Sequence, residues 1–170
     1  MQVTSILRAG FAGVALLALS SCDETAVSGG SFKAKYAVAR DALENGQYDR
    51  AKRQYLALIK EAGPLASRLQ LEYAHAELRS GNYAQAASIA SNLAASQSGK
   101  ARASSLSVQG TAQHELALEL LAEGQKSGAK EQLKGAEKAL ATVIKDHPDL
   151  DPIGSLAGRL GQIRKTLKTL

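Results

Sequence analysis

Two passages decide the fold: ALENGQYDRAKRQYLAL, residues 42–58, and ELRSGNYAQAASIASNL, residues 77–93. Laid on each other they pair Gly46 with Gly81, Tyr48 with Tyr83 and Ala51 with Ala86, all 35 residues apart. Leu43/Leu78 and Leu58/Leu93 keep the same offset. A fixed spacing of that size marks an array of helical repeats. Each unit reads as helix, a turn at Gly-Gln or Gly-Asn, then helix. Glycine just past the first helix adopts the left-handed conformation without penalty. The tyrosine after it fills the angle between the helices, and the alanine three residues later lets the two backbones approach.

These residues resemble the tetratricopeptide repeat (TPR), whose core pattern is Gly-x-Tyr-x-x-Ala with an aromatic four residues on. The first unit supplies Gly46, Tyr48, Ala51 and Tyr55, and the second Gly81, Tyr83, Ala86 and Ala90, where Ala90 replaces the aromatic. Pro64 falls within a residue of the family's closing proline. In arrays of that family the first helices of successive repeats line a concave groove. The resemblance therefore implies groove positions at Tyr36, Arg40 and Leu43, and 35 residues on at Leu71, His75 and Leu78, with Arg79 nearby. Such a groove is apolar with a basic edge, suited to an acidic or amphipathic segment of a partner protein. The asparagine–lysine set with which some members clamp a terminal carboxylate is missing.

From Ala101 to Glu123 a long helical pattern carries Leu106, Leu116, Leu120 and Leu121. Beyond a break at Gly124 to Gly128, a second carries Ala129, Leu133, Ala136, Leu140 and Val143 in steps of four and three. Pro148 resembles a repeat-closing proline. Set back from it, Ala136 takes the place of the packing alanine, and the turn's glycine and tyrosine are missing. Asp151-Pro152 opens a last helix with an N-cap and a proline at the first position. Ile153, Leu156, Leu160, Ile163 and Leu167 form its apolar stripe, with Arg159, Arg164, Lys165 and Lys168 on the other side. Stacked repeats need a terminal cap with one polar face, and this helix suits that role. The expected architecture is all-α: a short α-solenoid of TPR-like helical hairpins with a C-terminal capping helix. Repeats span about 32–65 and 67–100, a degenerate long hairpin 101–148, and the cap 152–169. All five tyrosines precede residue 84, so the two ends are built from different packing stock.

Ahead of this domain, Arg8 is followed by an apolar run from Ala9 to Leu19, the layout of a secretory signal. The run is too short to span a bilayer, which takes about 20 apolar residues. It ends at Leu19-Ser20-Ser21-Cys22, which resembles the bacterial lipobox: an aliphatic residue, two small residues, then cysteine. That resemblance implies a signal peptide over 1–21, cleavage before Cys22, diacylglycerol on its sulfur and an N-acyl chain on its new amino terminus. It implies a lipid-anchored protein of the bacterial cell envelope facing the periplasm, with inner or outer membrane left open and Asp23 leaning to the inner. Residues 22–31 read as a flexible tether, reaching on the order of 17 Å. Cys22 is the only cysteine, so no intramolecular disulfide exists.

The rest of the sequence argues against chemistry. Without the signal, 20 Lys and Arg face 16 Asp and Glu, a mild excess with no basic-aromatic interleaving, so nucleic acid is not the expected partner. His114-Glu115 begins like the zinc motif HExxH, but Leu118 stands where the second ligand is needed. His75-Ala76-Glu77 mimics a deaminase fragment whose cysteine pair cannot exist here. His147 sits at a helix end. All three read as surface or satisfied structural histidines, with no metal and no cofactor beyond the acyl chains, and the chain reads as no enzyme. A second surface is the ridge Lys126, Lys130, Lys134 and Lys138, spaced by four.

The expected function is a lipid-anchored scaffold or assembly factor for an envelope complex; short TPR-type lipoproteins serve pilus and secretin, outer-membrane protein and cell-wall machinery. The alternative is a peripheral binder of anionic lipid or envelope polymer through the basic helix face.

Overall fold

The computed structural model describes residues 24–170, with side chains from Ser31 onward. The stretch read as a signal and Cys22 lie outside the described residues. The described residues form seven α-helices and no strand: α1 (Glu24–Glu44), α2 (Tyr48–Glu61), α3 (Ala66–Arg79), α4 (Tyr83–Ser96), α5 (Gly99–Ala122), α6 (Lys126–Asp146) and α7 (Ser155–Thr169). Each packs on the next in sequence, and α3 also touches α5, and α5 touches α7. That is a short helical solenoid, in which hairpins stack and their first helices run side by side.

The hairpin turns explain the repeat. Gly46 and Gly81 have φ of 72° and 84°, in the left-handed region that disfavours a Cβ. Their amides donate to Leu43 O and Leu78 O, and the next amides, of Gln47 and Asn82, donate to Ala42 O and Glu77 O. These are the paired bonds of a Schellman cap, which satisfy carbonyls that the helix end leaves open. Five residues past each glycine, Ala51 and Ala86 are fully buried.

The third hairpin corrects the expectation. Gly124 has φ 76°, donates to Leu121 O, and is followed by Gln125 donating to Leu120 O. The turn's glycine is therefore present, and the packing alanine five residues on is Ala129, fully buried, not Ala136. Leu133 occupies the place of Tyr55 and Ala90, and all three have no exposed surface. The register was hidden because α5 has 24 residues where α3 has 14, which breaks the 35-residue count.

Both ends of the array differ from expectation. At the start, α1 begins at Glu24, so helix covers most of the stretch read as a tether. Helix growth is cooperative: once Phe32 and Tyr36 pack on the first core cluster, each preceding residue adds a backbone bond at the cost of ordering itself alone. At the other end α7 starts at Ser155, not at 152. Asp151 still caps it, but from a distance. Its Oδ1 accepts the Leu156 amide and its Oδ2 the Ala157 amide, both at 2.9 Å. Those amides, Leu156 first, hold its carboxyl below the usual carboxylate value. Ile153 falls in the intervening turn and is 88% exposed, so it leaves the apolar stripe. Leu160 and Ile163 keep their places in the core, with Leu156 and Leu167 packed alongside.

Packing follows the two stocks. In the first cluster Tyr36 meets Tyr55 edge to face, centroids 6.4 Å apart. Beneath the second turn, Glu77 is buried, accepts from Asn82 Nδ2 at 2.7 Å and faces Lys52 Nζ at 3.5 Å. Desolvation, aided by a hydrogen bond to Glu77, pushes the Tyr73 hydroxyl up to about 12. The third hairpin has no aromatics and relies on closeness. A Cβ at Gly110 of α5 would lie 2.7 Å from Leu140 Cγ of α6.

Candidate partner-binding groove

The first helices of the three hairpins enclose a groove of about 600 Å³. From α1 it takes Arg40, Leu43 and Glu44, spaced i, i+3, i+4 so that they share a face. Helix α3 contributes Arg68, Leu71, Glu72, His75 and Arg79 by the same spacing. The far wall is Gln97 from the α4–α5 link with Ala101 and Ser104 of α5.

Five expected residues line this groove together: Arg40, Leu43, Leu71, His75 and Arg79. Two are displaced from it. Tyr36 sits behind the wall, packed on the first core and donating its hydroxyl to Glu72 Oε1 at 3.4 Å. Burial, then the Glu72 charge, raises its pKa. Leu78 turns sideways into the small clusters around Ala74 and Ala86.

The groove's charge differs from the expected open basic edge. Arg40 Nη2 lies 2.6 Å from Glu44 Oε1, and its Nη1 lies 2.9 Å from Glu72 Oε2. Arg79 reaches Glu44 Oε2 at 3.4 Å and places its guanidinium 5.6 Å above the Tyr48 ring. Each such pair, half in solvent, is worth about 0–1 kcal/mol. Their joint effect is to brace α1 against α3 and to neutralise two arginines. Arg68 is the lining arginine that makes no ion pair among the described residues. His75 is exposed at the groove mouth. Its pKa is lowered, chiefly by desolvation between the groove walls, with Glu72 opposing and Arg40 and Arg79 reinforcing the shift.

Sequence reasoning missed Glu44 and Glu72, the free Arg68, and the whole α5 wall. Glu44 was legible as the i, i+4 partner of Arg40. Glu72 meets Arg40 only through packing of α3 on α1, and the α5 wall depends on a register that the long helix concealed.

The remaining candidates lie elsewhere. Lys126, Lys134 and Lys138 are exposed and Lys130 is half-buried, along the outer side of α6, away from the groove. His114 is 3% exposed, with Nδ1 2.8 Å from Arg159 Nη1. Arginine has only donors, so Nδ1 carries the lone pair and the proton sits on Nε2. Arg159 also binds Glu115, tying α7 to α5. His147 ends α6. Among the described residues no three His, Cys, Asp or Glu side chains gather as a metal site. Among them, too, no helix is long and apolar enough to cross a membrane.

No family model, curated protein or solved structure matches this chain.

Proposed function

We propose that this chain is a TPR-like scaffold, lipid-anchored at Cys22 in a bacterial cell envelope, which binds a segment of a partner protein in the α1–α3–α5 groove and assists assembly of an envelope complex. The observation that carries the reading is a groove built from the first helices of three successive hairpins, with apolar floor, fixed charges and, among the described residues, one lining arginine outside any ion pair. Leu43 and Leu71 offer apolar contact, while the Arg40–Glu44–Glu72–Arg79 network presents both signs at set positions. A helical or extended segment with apolar anchors and a carboxylate opposite Arg68 suits these features. No catalytic constellation is invoked. The anchor rests on Leu19-Ser20-Ser21-Cys22 following an apolar run.

The test is photocrosslinking from the full chain in cells. A photoreactive residue at Ser104 should give a discrete adduct that Arg68→Glu diminishes. The same residue at Ser88, exposed on α4 and outside the groove, should not. No adduct from Ser104, or the same adducts from Ser88, would overturn the groove. For the anchor, Cys22→Ser should abolish metabolic palmitate labelling; a variant that still labels refutes it.

A further inference from the structure

The last two helices carry a charge pattern unlike the rest. Residues 124–170 hold nine Lys and Arg against five Asp and Glu, while residues 31–123 hold eleven against nine. The cations also differ in what they touch. Among the described residues four of the nine Lys and Arg on the first three helices meet a carboxylate (Lys35, Arg40, Lys52 and Arg79), against two of the nine from Lys126 onward (Arg159 and Arg164). Among the described residues, Lys126, Lys130, Lys134, Lys138, Lys165 and Lys168 meet none.

Helix geometry strings the four lysines of α6 along one continuous ridge. Steps of four residues advance about 40° around the helix and about 6 Å along it. The ridge on α6 therefore winds by about 120° from Lys126, beside the buried Ala129 and Leu133, to Lys138 on the far side of the helix, where it borders a cleft with α4. Arg164 Nε of α7 binds Glu137 Oε1 of α6 at 2.9 Å, which sets that side of α7 beside the ridge and consumes one of its two acids. Lys168 stands one turn beyond Arg164 on the same side. Glu131 is the one acid between Lys126 and Lys138 left without a basic partner among the described residues.

We infer that this α6–α7 face docks on an anionic lipid bilayer. The free groups are ammonium point charges on flexible stems, not guanidinium forks that match one anion bidentately. They are strung along a helix and do not converge, so they suit many mobile headgroups better than one shaped ligand. Each lysine held at such a surface raises binding on the order of fivefold. The attraction decays within about 10 Å at 0.1 M salt. The face is separate from the groove, so a partner and a membrane can be held at once.

The test measures co-sedimentation of the full chain with vesicles of neutral phosphatidylcholine, and with vesicles containing phosphatidylglycerol. Any hold by the N-terminal apolar run is common to all variants, so the anionic-to-neutral ratio is the readout. The wild-type ratio should exceed about tenfold at low salt and fall towards unity as salt rises to about 0.5 M. Changing Lys126, Lys130, Lys134 and Lys138 together to Gln should abolish that preference, with the far-UV circular dichroism unchanged. A wild-type ratio near unity, or a quadruple variant that keeps the wild-type ratio, overturns the inference. So does lysine-dependent binding to soluble dextran sulfate without preference for anionic vesicles, which would assign the face to a polymer.

Discussion

Gly110→Ala isolates the close contact on which the third hairpin rests. In a helix interior the change from glycine to alanine gains about 1 kcal/mol of propensity. At Gly110 the added carbon would lie 2.7 Å from Leu140 Cγ, 2.8 Å from its Cδ2 and 3.2 Å from Ala136 O. Carbon pairs rest at about 3.5–4.0 Å, so the approach is short by about 1 Å. Leu140 has no exposed surface to move into, and the Ala136 carbonyl belongs to the α6 backbone. The relief is separation of α5 from α6, and overpacking of this kind costs about 1–3 kcal/mol. Set against the propensity gain, the expected result is destabilisation by up to about 2 kcal/mol.

Gly158→Ala and Gly161→Ala in α7 meet nothing within 4 Å and serve as controls. Each should stabilise by about 0.5–1 kcal/mol. The assay is urea unfolding of the full chain followed by circular dichroism, with Gly110→Ala repeated in a Leu140→Ala background. Leu140→Ala alone should cost about 2–5 kcal/mol, but it opens the space that the new methyl needs. There Gly110→Ala should become neutral or stabilising. A Gly110→Ala chain as stable as wild type, or an equal penalty in both backgrounds, would refute the packing argument.

The three hairpin turns should respond alike to Gly46→Ala, Gly81→Ala and Gly124→Ala. Each forces a Cβ into the left-handed region at a cost of about 1–2 kcal/mol, read from urea midpoints; a Gly124→Ala chain of unchanged stability would deny that the third turn matches the others. Stability should also fall as pH drops through the ordinary imidazole range. Burial first, then the Arg159 charge, lowers the His114 pKa against the opposing Glu115, so the unfolded chain binds this proton more readily than the folded one. The loss begins near pH 6.5, the ordinary unfolded value, and levels off below the folded pKa. His75 is lowered too and acts in the same direction, so His114→Gln should flatten the pH dependence in part; an unchanged slope would remove His114 as a source. Tyr55→Phe should be neutral or stabilise by up to about 1 kcal/mol, because among the described residues its buried hydroxyl makes no well-formed hydrogen bond, although Arg40 lies close enough to act on it. A loss beyond about 1 kcal/mol would reveal one.

Much of this architecture was legible because one physical constraint, the left-handed residue at a Schellman turn, writes glycine at a fixed distance from a buried alanine. Gly46 and Gly81 declared themselves through their common spacing. Gly124 obeys the same constraint, but the ten extra residues of α5 over α3 moved it out of count. Counting back from Pro148 then put Ala136 where Ala129 belongs. Measured forward from the glycine, the register holds: Ala51, Ala86 and Ala129 at five residues, and Tyr55, Ala90 and Leu133 at nine. The start of α7 failed for a related reason. Asp151 is a capping residue, as its type suggests, but Gly154, at φ 73°, bends the chain so that the carboxylate reaches amides five and six positions on.

The groove shows what periodicity can and cannot carry. An offset of 35 residues finds side chains on equivalent helix faces, and it brought Arg40 and His75 to the same wall. It does not say which charges are spent on each other. Arg40 spans two glutamates and Arg79 shares one of them, so removing Arg40 unpairs Glu72 and removing Arg79 takes away the second bridge between α1 and α3. A binding defect from Arg40→Glu would therefore mix lost recognition with a loosened groove. Arg68 supports no such bridge among the described residues, and its replacement changes the groove's charge without removing a partner from the brace. The residue that best tests the proposed recognition is thus one the repeat pattern did not mark, because a repeat pattern records what holds the helices together and an arginine outside any ion pair does not.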